Sequence, residues 1–135
     1  MTQPKLNDFC KEVFEANKLK GFDVSKENIG QTLMLVVSEL SEALEAHRKG
    51  NINVCRYKYD KNLSYYGWDK ESIGYKEKEI ESFRSYIKDS FEDEISDSFI
   101  RLMDLVGGLG IDLDWHIEQK RRFNSLREYK HGKAY

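Results

Sequence analysis

Four carboxylates stand in two pairs of equal spacing: Glu39 and Glu42 in Ser38-Glu39-Leu40-Ser41-Glu42, Glu94 and Asp97 in Asp93-Glu94-Ile95-Ser96-Asp97. At about 100° per residue, side chains three apart share one helix face, one turn apart. Like charges so placed repel unless a cation or solvent neutralises them. Two such helices packed together could set four carboxylates around one volume. A hard divalent ion with oxygen ligands is the natural neutraliser. Mg²⁺ keeps several waters and completes its shell with substrate phosphates. The same spacing also occurs on ordinary solvated helix faces, and 34% of this chain is charged.

Helices must carry these pairs. Apolar spacing and glycine stops predict four helical segments, about 4–20, 26–49, 75–106 and 112–126, and an all-α fold. Pro4 is the only proline. Gly21 and Gly50 close the first two segments, Ser25 and Asp112 are N-cap candidates, and Gly107-Gly108-Leu109-Gly110 ends the third. Ile29, Leu33, Val36, Leu40 and Leu44 form the expected core stripe of the second segment, with Glu39 on its flank. Phe91, Ile95, Phe99, Leu102 and Val106 form that of the third, flanked by Glu94 and Asp97. Leu35 lies on the side of Glu39 and Glu42, and Met34 on another flank. A helix apolar on several faces needs cover on several sides, which suggests a partner subunit.

Residues 51–74 break the pattern. They hold Tyr57, Tyr59, Tyr65, Tyr66 and Trp68 without a helical period. Alternation around Val54 to Tyr59 predicts a Tyr-rich loop or short hairpin turning at Asp60 to Asn62, either a lid or an insertion packed outside.

Composition narrows the function. The chain has 135 residues, the size of one domain spanning 1–135, with a net charge of -2. The segment 118–135 carries six basic and two acidic residues (+4), leaving 16 basic and 22 acidic (-6) elsewhere. A basic tail on an acidic body suits a metal site facing a phosphate-bearing ligand, a self-solvating tail or a grip on a nucleic-acid backbone. The aliphatic run Leu33 to Val37 falls far short of the about 20 apolar residues of a membrane span. Residues 1–11 have no apolar signal-peptide core. Cys10 and Cys55 form no CxxC pair and read as reduced, buried hydrophobes, so a cytoplasmic location is expected. His47, His116 and His131 are dispersed, unlike a zinc set.

The two acidic pairs together resemble the ExxE…ExxD signature of the MazG-like, all-α nucleoside triphosphate pyrophosphohydrolases. Asn28-Ile29, Ala43 to Gly50, the run from Asp97 to Leu105, Lys120-x-x-x-Asn124-x-x-Arg127 and Tyr129-Lys130-His131-Gly132-Lys133 extend the likeness over all but 51–74. The resemblance implies a helical bundle assembled through a homodimer or homotetramer. It implies Mg²⁺, with Mn²⁺ as a substitute, on Glu39, Glu42, Glu94 and Asp97. It further implies hydrolysis of a nucleoside triphosphate, a dNTP foremost, to monophosphate and pyrophosphate, in nucleotide-pool control or house-cleaning. Glu42, with Glu39 beside it, would orient or deprotonate the attacking water. Lys120 and Asn124 would bind the nucleotide, and Arg127, Lys130 and Lys133 its phosphates. Trp115, Phe22 or Trp68 would either stack on the base or pack. Many members carry an acid where this chain has Ser38, a role open to Asp93. The alternative is a helical nucleotide- or protein-binding dimer that keeps the fold without turnover. Membrane binding is not expected, and the acidic body weighs against nucleic acid.

Overall fold

Caps decide where each element begins. The computed structural model describes residues 5–64, 69–129, 133 and 134. Pro4, Tyr65, Tyr66, Trp68, Lys130, His131 and Gly132, used in the sequence reading, lie outside them. The described residues form six helices, α1 (Leu6–Leu19), α2 (Ile29–Arg48), α3 (Arg56–Ser64), α4 (Ile73–Tyr86), α5 (Phe91–Leu109) and α6 (Leu113–Ser125), with no strand among them. The fold is all-α. Contacts group the chain into two compact units, Met1–Thr32 with Ile100–Tyr135, and Leu33–Phe99.

In the first unit, α1 has no side-chain cap of its own at Lys5. Asp114 serves instead, its two oxygens accepting the N–H groups of Leu6 and Asn7 at 3.0 Å each. Asn7 reciprocates: its Oδ1 accepts from the Asp114 N–H at 3.0 Å and its Nδ2 donates to Asp112 at 2.8 Å. Asp112 also accepts the Trp115 N–H, as its expected N-cap role requires. Ser25 caps a 3-10 turn (Lys26–Asn28) that leads into α2, with Asn28 closing a capping box. The Gly107-Gly108-Leu109-Gly110 stretch ends α5 as expected, three residues beyond Val106: the helix runs to Leu109 and turns off at Gly110, φ +65°. A Cβ at Gly107 would meet the Cys10 carbonyl oxygen at 2.5 Å, and one at Gly108 the Val24 oxygen at 2.7 Å. These glycines permit close approach rather than a stop.

In the second unit, the stretch expected as a loop or short hairpin instead contains the helix α3, which packs on α4. Ser82 donates from α4 to Asn62 on α3, and Leu63 and Ser82 are buried. Tyrosines in a helix defeat a reading based on alternation, because strand propensity is overridden by packing. The single helix expected over 75–106 is broken at Ile87–Ser90. The N–H groups of Ile87 and Lys88 both reach the Phe83 carbonyl at 2.9 Å. Asp89 turns the chain at φ 63°, and Ser90 starts α5 by accepting the Asp93 N–H at 3.1 Å.

The inward faces also differ from those expected. On α2 the buried residues are Thr32, Val36, Glu39, Ala43 and Ala46, stepping by four and three. Leu33, Leu40 and Leu44 are 44%, 48% and 49% exposed. On α5 the buried residues are Glu94, Ser98, Asp104 and Leu105, following the buried Ser90 that starts the helix, while Phe99 and Leu102 face outward. Both helices carry apolar residues on more than one face, so periodicity alone does not say which face turns in.

Candidate metal centre

The inward face of α2 brings Glu39 into the interior, and that of α5 brings Glu94; they are 8% and 4% exposed. Asp97 follows Glu94 by one turn and is half-buried. One carboxylate oxygen from each of Glu39, Glu94 and Asp97 lies within 4.8 Å of the others. Three of the four ligands expected from the sequence therefore converge. The fourth, Glu42, is exposed and lines a cleft of about 280 Å³ together with Glu94, Asp89, Asn51 and Lys49.

Buried carboxylates without donors are costly to ionise. Burial pushes the Glu94 carboxyl up to about 7, and the charges of Glu42, Asp93, Asp97 and Glu39 add to the rise. Among the described residues its carboxylate has no hydrogen-bond or ion-pair partner. Three oxygens this close, one on an unpartnered buried glutamate, fit the donor set of a hard divalent cation. A second trio, Asp89, Asp93 and Glu94, shares Glu94 with the first and likewise sets one carboxylate oxygen of each within 4.8 Å of the others. Asp89 carried no signal in the sequence, because the 75–106 periodicity hides the turn that delivers it. Asp104 is a further buried acid, pushed up by burial and eased by a hydrogen bond from Asn17; its Oδ1 has no partner. It stands seven residues after Asp97, hence on nearly the same side of α5, and that spacing was its only sequence signal.

Lys120 and Asn124 lie one turn apart on α6, the first exposed and the second half-buried. Lys120 Nζ and the Arg127 guanidinium sit 5.2 Å and 5.4 Å from the Phe123 ring centre, so the chain gathers two of the expected substrate-binding cations, the nucleotide-binding Lys120 and the phosphate-binding Arg127, on one aromatic ring. Lys133 is exposed, and Lys130 lies outside the described residues. Trp115 and Phe22 are exposed. His116 packs edge-on against Trp115 at 4.9 Å, and His47 lies 6.2 Å from Phe91. Cys10 is buried as expected; Cys55, against expectation, is exposed, since it stands just before α3 on the chain leaving α2. No helix among the described residues is long and apolar enough to cross a membrane. No protein-family model, curated protein or solved structure matches the chain.

Proposed function

We propose that the chain is a Mg²⁺-dependent nucleoside triphosphate pyrophosphohydrolase that works as a homodimer or homotetramer. One observation carries this reading: one oxygen each from Glu39, Glu94 and Asp97 lies within 4.8 Å of the others, and the buried Glu94 has no hydrogen-bond or ion-pair partner among the described residues. Those three would hold the ion, with Glu42 at the edge of the same cleft. Bound Mg²⁺ supplies neutralisation of polyphosphate charge and a lowered pKa for water. Glu42 is open to solvent and accepts the proton of the attacking water. The water oxygen bonds to the α-phosphorus, the α–β bridging P–O bond breaks, and pyrophosphate leaves with the electron pair. Lys120, Asn124, Arg127, Lys130 and Lys133 hold the nucleotide and its phosphates, with Arg127 suited to two-point recognition. Leu33, Met34, Val37, Leu40 and Leu44, all exposed on α2, give a second copy an apolar face to cover.

A panel of ribo- and deoxynucleoside triphosphates with Mg²⁺ tests the reading, with pyrophosphate and orthophosphate measured separately. Pyrophosphate and monophosphate in equal amounts are expected. Orthophosphate as the first product, or no turnover of any member with Mg²⁺ or Mn²⁺, would contradict it.

A further inference from the structure

The acidic cluster spans two helices, so its geometry depends on how the end of α2 is registered against the start of α5. A short stretch of chain sets that register. α2 closes at Gly50, φ +74°, where the Asn51 N–H returns to the Ala46 carbonyl at 2.9 Å. Residues 51–54 then run along the first turn of α5. The Phe91 N–H donates to the Asn51 carbonyl at 2.8 Å, and Asn51 Nδ2 donates to the Asp89 carbonyl at 2.9 Å. Glu92 Oε1 accepts two N–H groups, from Asn53 at 2.5 Å and Val54 at 3.0 Å. Asn53 and Asp89, at φ 68° and 63°, are the non-glycine residues with positive φ among the described residues, and both belong to this clasp. Left-handed backbone persists where neighbours over-determine it.

Glu92 belongs to neither acid trio that could hold a cation. Its Oε2 is buried and has no hydrogen-bond partner.

We infer that Glu92 is a positioning residue: with Asn51 it clasps the chain after α2 to the first turn of α5 and thereby sets Glu39 and Glu42 at their working distance from Glu94 and Asp97. The inference rests on the reading of the acidic cluster as a cation site. Its requirement is geometric, a side chain long enough for one oxygen to reach two N–H groups, and not a negative charge.

Two variants of the full chain separate geometry from charge. Glu92→Gln keeps the length and Oε1 but loses the charge; Glu92→Asp keeps the charge but is one methylene short. Calorimetric titration with Mg²⁺ should give Glu92→Gln a Kd within about twofold of native and weaken Glu92→Asp by about tenfold or more, as for residues that orient metal ligands. Amide exchange at Asn53 and Val54 should stay slow in Glu92→Gln and become fast in Glu92→Asp. Native Mg²⁺ affinity in Glu92→Asp with those amides exchanging freely would overturn the inference, as would Glu92→Gln being the weaker binder. Should Glu92→Asp fail to fold, Asn51→Ala takes its place, with several-fold weaker Mg²⁺ binding expected and unchanged binding overturning the role. A native chain that takes up neither Mg²⁺ nor Mn²⁺ would overturn the cation site itself and this inference with it, whereas native binding with indifferent variants overturns the inference alone.

Discussion

Two acidic sites, one in each unit, use their carboxylates in opposite ways. In Met1–Thr32 with Ile100–Tyr135, Asp112 and Asp114 are surrounded by donors, and the Asn7 side chain and Trp115 N–H hold the Asp112 carboxyl below its ordinary value. In Leu33–Phe99, Glu94 is surrounded by carboxylates and pushed up to about 7. A carboxylate that accepts two N–H groups at a helix start is architecture, complete within the chain. A buried carboxylate crowded by other carboxylates, with no donor bonded to it, is complete once a cation arrives. Residue type does not separate the two cases; the neighbours do.

Substitutions in the cluster should break the contrast most severely. Glu39→Gln or Asp97→Asn should lower pyrophosphate release by about a thousandfold or more, with helical content and oligomeric state unchanged by circular dichroism and sedimentation. Native turnover in either would remove that residue from the site. Lys120→Ala should come next, raising KM for the nucleotide about tenfold while Mg²⁺ affinity holds. An unchanged KM would take Lys120 out of substrate binding. Asp114→Ala should behave as a pure loss of architecture: about 1–2 kcal/mol of stability by urea unfolding, with Mg²⁺ affinity unaltered.

The smallest effect sharpens the comparison through pH. The folded-state value for Glu94, about 7, lies above its ordinary 4.5, so the folded chain holds this proton more tightly than the unfolded chain does. The stability it contributes is fully present below about pH 4.5 and is lost as pH rises through 7. Without divalent ions, the thermal midpoint of Glu94→Gln should therefore exceed the native value by about 3 °C at pH 8, and the two should converge near pH 5. Mg²⁺ should restore the native midpoint at pH 8 and leave that of Glu94→Gln in place. A native advantage over the variant at pH 8 without metal would contradict the direction of the shift.

Much of this was legible in the chain. Helix starts at Ser25 and Asp112 and stops at Gly21 and Gly50 follow from local chemistry, and the structure keeps them. The pairing of Glu94 with Asp97 was visible too, because i, i+3 residues on a helix share a face, whereas the same spacing left Glu39 buried and Glu42 exposed. The break before α5 lies at Ser90, whose side chain accepts the Asp93 N–H at 3.1 Å while Asp93 accepts the Asp89 N–H at 2.9 Å, but the continuous apolar period on either side masks it. What was not legible is which face turns inward. Leu33, Leu40 and Phe99 outrank Thr32, Ala43 and Ser98 in hydrophobicity, yet the smaller residues are buried. Glu92 was equally hidden, since its partners are backbone N–H groups nearly forty residues away, which no local pattern encodes.

The central claim, that Glu94 and its neighbours form a cation site, is tested most directly by titrating Mg²⁺ into the native chain and Glu94→Gln at pH 8 and pH 6. The native chain should show saturable uptake at pH 8, about tenfold weaker uptake at pH 6 where a proton competes for Glu94, and Glu94→Gln should show none. Uptake by Glu94→Gln equal to the native chain, or no uptake by the native chain at pH 8, would contradict the account.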